Sequence, residues 1–203
     1  MKVKVEEEHG YNLAIKGMSY SHLDTREDID SWWESQKLKA ENRAGKLAPK
    51  DGGHNKFLES IVIWVDVEAS RAFWQEFDTY RVGITKQSTS TMHKLSKRRP
   101  VAEDFEEETP EVIIEAFAAV WDSNPGIIVL KHALPEGYLQ RRLVVINYKS
   151  LRNMYFQRVK HRYHYWQTFC KEMLSQIEHP RLIYNTPEET LEVVTNTLGA
   201  PDL

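Results

Sequence analysis

Two short β-branched runs, each leading straight into a segment with helical periodicity, constrain this chain more than any other feature. Residues 61–67 (IVIWVDV) and 143–146 (LVVI) have the length and branching of buried strands. Branched side chains are stiff in a helix and pack well on a pleated surface. After the first run, Phe73, Trp74 and Phe77 stand at i, i+1 and i+4 within residues 69–80, which is helical spacing. After the second, from Ser150 to about residue 177, Leu151, Met154, Tyr155, Arg158, Arg162, Tyr165, Phe169 and Met173 recur three or four apart on one stripe. The pattern predicts a mixed α/β (α+β) fold. Both runs pair in one central sheet flanked by helices, and one long C-terminal helix packs across it. All 203 residues fit a single domain.

Other segments fill in the frame. Residues 11–20 (YNLAIKGMSY) carry a short apolar pattern that reads as a strand, and residues 24–44 form a charged helix using Trp32, Trp33 and Leu38. Pro49 and the Gly52-Gly53 pair make 45–53 a loop, and the hydroxyl-rich 81–91 (RVGITKQSTST) reads as a loop with binding capacity. Seven carboxylates crowd residues 103–115, and Pro110 then opens an apolar helix reaching Trp121. Pro180 stops the long helix, and Thr186-Pro187 caps a short final one.

Composition excludes several classes of function. With 27 Lys and Arg against 30 Asp and Glu, the net charge of -3 offers no bulk polycation for nonspecific nucleic-acid binding. The single cysteine, Cys170, rules out an internal disulfide framework or a Cys-based zinc site, and its apolar register marks a buried structural thiol. No apolar run approaches a membrane span and no signal-peptide core is present, so a soluble, cytoplasmic protein is expected. His161 and His164 form an H-x-x-H pair without a third ligand at suitable spacing, so no metal is expected. G-x-S-x-G, P-loop and G-x-G-x-x-G motifs are absent.

Charge is nevertheless segregated. Residues 141–171 hold eight Lys or Arg and no Asp or Glu, and 81–99 hold six more cations, again without a carboxylate. Three readings stay open at this point. The cations could face the acidic 103–115 region or an acidic partner. They could form an anion site, since Asn147-Tyr148-Lys149-Ser150 lies where a strand passes into a helix. They could also bind nucleic acid, because Tyr155, Phe156, Tyr163, Tyr165 and Trp166 interleave with them.

Two segments together resemble the flavin-dependent thymidylate synthases. The first begins with His54, reaches Glu59 five residues on, and opens an Ile61-Val62 strand. An aromatic helix, Arg81, a hydroxyl-rich loop and Lys94-Leu95 follow. The second is Asn147-x-x-Ser150-Leu151-x-Asn153-x-x-x-x-Arg158. In the family's signature stretch only Arg81 is identical. Thr89 replaces a Ser, Gln87 replaces a Glu, and Thr91 stands where the family has a nucleotide-gripping Arg. The resemblance implies FAD, a dUMP-like pyrimidine nucleotide, methylenetetrahydrofolate and NADPH as co-substrates, a homotetramer, and reductive methylation without a protein nucleophile. It places His54, Glu59, Arg81, Asn147, Lys149 and Asn153 on the flavin. It places Gln87, Ser88, Thr89, Ser90, Arg158 and one of Arg141 or Arg142 on the nucleotide. The alternative is a non-catalytic protein of this fold that binds a nucleotide, a nucleic acid or an acidic partner through its basic surface.

Overall fold

The computed structural model describes residues 1–184 apart from 25 and 27. The chain runs β1 (Lys2–His9), α1 (Tyr11–Ser19), α2 (Ile29–Leu47), β2 (Val62–Ser70), α3 (Arg71–Phe77), β3 (Ile84–Ser88) and α4 (Thr91–Leu95). It continues through α5 (Glu111–Asp122), α6 (Ile127–Ala133), β4 (Leu139–Asn147), α7 (Tyr148–Arg158) and α8 (His164–Gln176). The four strands form one antiparallel sheet in the order β1-β2-β4-β3.

The two β-branched runs are its central pair, with Val62 opposite Asn147 at one end and Ser70 opposite Leu139 at the other. Val3, Val5, Ile63, Val65, Val67, Val144 and Ile146 share one face by strand alternation and pack into the main core. Phe73, Trp74, Phe77, Trp166 and Phe169 form its aromatic centre, with Phe77 and Trp166 stacked 6.0 Å apart. The opposite face is mixed: Lys2, Lys4, Asp66, Glu68 and Arg141 lie toward one end and Val62, Trp64, Leu143 and Val145 toward the other. A second, smaller core of Leu95, Phe105, Phe117, Leu130, Leu134 and Tyr138 lies under α4, α5 and α6.

Several expectations are corrected. Residues 11–20 are helical, because Ala14 and Ile15 turn inward with Tyr11 and Met18 one turn either side, a 3.6-residue period mistaken for a strand. The N-terminal strand is instead β1, whose Lys-Val alternation received no assignment. Gly10 makes the sharp change of direction between them at φ 95°, and a Cβ there would lie 2.2 Å from the Ser60 carbonyl oxygen. Helix α2 is capped by Asp28, extends to Leu47 into the first residues of the expected 45–53 loop, and leaves Leu38 exposed. The hydroxyl-rich segment contains edge strand β3, paired along β4 from Ile84↔Ile146 to Ser88↔Arg142.

The single long helix is two helices, α7 and α8. Residues 159–163 contain neither Gly nor Pro, so no local signal marks the break. Tertiary contacts impose it: Arg158 bonds to Tyr80 and Glu76, and the Tyr163 hydroxyl reaches Ser70 Oγ at 3.2 Å, redirecting the chain before α8 begins. α8 ends at Gln176, before Pro180, which opens a short 3₁₀ turn. The expected final helix after Thr186 lies outside the described residues. Among the described residues no helix is long and apolar enough to cross a membrane.

Candidate functional site

A cleft of about 830 Å³ opens where β2 begins and β4 ends. Asn147 closes β4 and caps α7, accepting the Ser150 N–H at 2.9 Å, so one side chain terminates a strand and starts a helix. Lys149, Asn153 and Phe156 then line the cleft from α7. Across from them are Asn55 and Glu59 of the turn before β2, and Tyr80, Arg81, Val82 and Gly83 from the end of α3. Lys149 Nζ meets Glu59 Oε1 at 2.5 Å. Gly83 sits at φ 67°, its carbonyl accepts from Asn147 N at 3.2 Å, and an added Cβ would lie 2.3 Å from Asn147 Nδ2.

Five of the six residues assigned to the flavin, namely Glu59, Arg81, Asn147, Lys149 and Asn153, therefore converge on one cavity. The sixth, His54, is exposed and adjoins the lining residue Asn55. Asn55 itself was missed. It is 4% exposed and donates Nδ2 to the Ala48 carbonyl at 3.3 Å, while its buried Oδ1 has no hydrogen-bond partner. Buried acceptors without partners are rare, and this one is free to accept from a donor in the cleft. The adjacent His54 was the only sequence signal for it. Arg152 also lines the cleft and donates to the carbonyls of Leu182 and Ile183.

The residues assigned to the nucleotide do not share one cavity. Gln87 and Ser88 end the edge strand, Thr89 N–H donates to the Arg141 carbonyl at 2.9 Å, and Ser90 caps α4. Strand alternation sends Arg141 and Arg142 to opposite faces. Arg141 reaches Asp66 at 2.7 Å on the polar face. Arg142 lies over the Trp74 ring at 4.3 Å and pairs with Asp78 at 2.9 Å, which also takes Lys86 at 2.6 Å. Burial works to raise the Asp78 carboxyl, but the bonds from Lys86 and Arg142 outweigh it and hold the group below the ordinary carboxylate range. Arg158 pairs with Glu76 at 3.0 Å, donates to Tyr80 Oη at 2.8 Å, and lies over Trp166. Tyr80 joins this cluster to the cleft.

Most of these cations thus face acids, and the 103–115 region, which one reading named, supplies part of the partners. The partners Glu59, Asp66, Glu76 and Asp78 come from β2, α3 and their flanks. From the acidic stretch, Asp104 pairs with Lys94 and Arg98, and Glu108 with His164. Cys170 is buried, which pushes its thiol up to about 12 and makes it a poor nucleophile.

No family model and no curated protein matches the sequence. Solved structures do. The thymidylate synthase X from Helicobacter pylori with FAD and dUMP is similar at TM-score 0.72 and 16% identity, covering 93% of this chain and 98% of that one. A flavin-dependent thymidylate synthase structure from the same organism, also with FAD and dUMP, gives 0.70 at 17%, covering 91% and 99%. A UMP/dUMP methylase, PolB from Streptomyces cacaoi bound with 5-Br dUMP, gives 0.60 at 14%, covering 86% and 88%. The chain therefore has the fold of the flavin-dependent thymidylate synthases.

Proposed function

We propose that the chain binds FAD in the cleft beside α7 and serves reductive methylation of the uracil ring of dUMP or a related pyrimidine nucleotide. Methylenetetrahydrofolate would be the one-carbon donor and NADPH the electron source. The observation that carries the reading is the convergence of Glu59, Arg81, Asn147, Lys149 and Asn153 on one cavity. The fold is shared with proteins whose structures hold FAD and dUMP.

The residues present fit such a group. The cleft has the volume of a cofactor site, is edged by Tyr80 and Phe156, and offers amide donors, three cations and the unpaired acceptor of Asn55. Bound and reduced, the flavin supplies hydride. Asn147 and Asn153, on consecutive turns of one helix and its cap, hold and orient polar edges of the ligand. Lys149 and Arg81 balance negative charge, and Phe156 and Tyr80 keep water from one flank. His54 adds a contact at the rim. Gln87, Ser88, Thr89 and Ser90 offer hydroxyl and amide groups to the nucleotide beside the cations Arg141, Arg142 and Arg158. A homotetramer would cover the exposed cleft.

The test is FAD titration of the full chain, followed by dUMP conversion with methylenetetrahydrofolate and NADPH. A protein that quenches no flavin fluorescence refutes the reading. The second reading, binding without turnover to a nucleotide, a nucleic acid or an acidic partner, draws on Thr91, which stands where the signature has its gripping Arg. Salt-sensitive polyanion binding without turnover selects it.

A further inference from the structure

Strand β1 is at the edge of the sheet, and the end of α8 covers part of it. Gln176 accepts from the Val5 N–H at 2.9 Å and donates to the Val3 carbonyl at 3.1 Å, so one side chain satisfies two backbone groups of the open edge. Just beyond, the Glu178 N–H donates to Glu8 Oε2 at 2.8 Å. The Tyr148 hydroxyl donates to Glu8 Oε1 at 2.7 Å and accepts from the His179 N–H at 3.2 Å. Tyr148 is fully buried, and burial together with the neighbouring Glu8 carboxylate pushes its phenol up, so it stays a donor. The His179 ring stacks on Tyr11 with 3.4 Å between centroids. A carboxylate oxygen from each of Glu8 and Glu178 and a ring nitrogen of His179 consequently lie within 4.8 Å of one another. Glu8 and Glu178 are 170 positions apart, so no metal-ligand spacing shows in the sequence.

What sets this group apart is that no Lys or Arg neutralises it. Glu59, Asp66, Glu76, Asp78, Asp104 and Asp122 each pair with one. Among the described residues neither Glu8 nor Glu178 does, and their one ion-pair contact is His179 Nε2 with Glu178 Oε2 at 3.8 Å. The hydrogen bonds that Glu8 accepts come from a phenol and a peptide N–H, both neutral. Two carboxylates held this close repel, and a cation between them relieves both. Each Glu8 oxygen keeps a second lone pair, and Glu178 is 71% exposed and can swing inward. Zinc bonds of about 2.0–2.2 Å put the donors of a tetrahedral site about 3.3–3.6 Å apart, which a small side-chain movement reaches. An imidazole nitrogen beside two carboxylates suits zinc and its transition-metal neighbours, whereas magnesium and calcium take oxygen ligands. We propose that Glu8, Glu178 and His179 form a transition-metal site, zinc-like in its ligands, that staples the end of β1 to the turn after α8. Tyr148 is its positioning residue, holding Glu8 in place from the first turn of α7. None of the three ligands lines the cleft, so the site stands whether or not a flavin binds.

The probe is Zn²⁺ itself, titrated into the full chain after chelator treatment and buffer exchange, against a competing chromophoric chelator and with thermal unfolding alongside. Wild type should take one equivalent with a dissociation constant of about 1 μM or below, and gain about 5 °C or more in Tm at about a hundredfold excess over that constant. Glu8→Gln, Glu178→Gln and His179→Asn should each weaken zinc by at least about tenfold, and Tyr148→Phe by about tenfold through the lost hold on Glu8. Glu178 is exposed, so its variant keeps the question answerable if the others fold poorly. His164→Asn should leave zinc binding unchanged, because that ring faces Glu108 instead. Mg²⁺ at about a thousandfold excess over zinc should not displace it. A wild type that binds zinc no more tightly than about 100 μM overturns the proposal. So do ligand variants that bind zinc as wild type does, a loss of zinc in His164→Asn, and displacement by Mg²⁺.

Discussion

The cleft at the end of β4 and the cation cluster at the end of α3 are built from the same residue types and behave differently. In the cleft, polar side chains from the start of α7, the turn before β2 and the segment after α3 face a common space, and Asn55 keeps an acceptor unmatched. In the cluster, Arg142, Lys86 and Arg158 are matched by Asp78 and Glu76 and backed by aromatic rings. The difference lies in the shape of each region: the cleft's groups, Lys149 with its partner Glu59 among them, border an open volume, while the cluster's ion pairs are packed against rings.

Four variants or titrations test that contrast, beginning with the largest effect. Gly83→Ala should destabilise the fold by about 2–4 kcal/mol, combining left-handed strain with an overpacked contact against Asn147 and Ser150, and should abolish flavin binding. Urea unfolding beside flavin fluorescence measures both; a stable variant that still binds FAD would show the cleft wall to be dispensable. Arg158→Ala comes next. It leaves Glu76 without its charged donor and should cost about 1.5–3 kcal/mol of stability, read by urea unfolding, with dUMP titration showing how much of the loss is also felt by the nucleotide. Unchanged stability would show that the Glu76 pairing does not hold the cluster together, and unchanged dUMP affinity would remove Arg158 from the proposed nucleotide contacts.

Asn147→Ala removes a helix cap and should cost about 1 kcal/mol, with a clear loss of FAD affinity, and Asn147→Asp should restore the cap. The smallest effect concerns acid. Asp78 titrates below the ordinary carboxylate range in the folded protein, so its contribution is present above the unfolded pKa and drains away as pH falls through the folded one. Because the group is 44% exposed, that contribution is below about 1 kcal/mol. Stability curves of wild type and Asp78→Asn should therefore converge below about pH 4 and differ slightly at neutrality. Curves that diverge on acidification would contradict the ion-pair geometry.

Legibility followed the range of the interactions. Strands β2 and β4, the helices after them and the buried Cys170 were readable because burial and branching are written in consecutive residues. The group that lines the cleft was readable for a related reason: Asn147, Lys149 and Asn153 sit within seven residues, on one strand-to-helix junction. The ion pairs of the cation cluster were not. Asp78 and Arg142 are 64 positions apart, Glu76 and Arg158 are 82 apart, and nothing in either segment announces its partner.

By itself the sequence determined which stretches must be buried and where a strand must hand over to a helix, since side-chain volume, branching and capping act locally. Tertiary structure decided the rest. It made residues 11–19 a helix behind Gly10, drew Ile84–Ser88 onto the sheet edge, and broke the last long stripe after Arg158. It also chose which cations remained available, because an ion pair depends on distance in space, and folding sets that distance only when the whole sheet has closed.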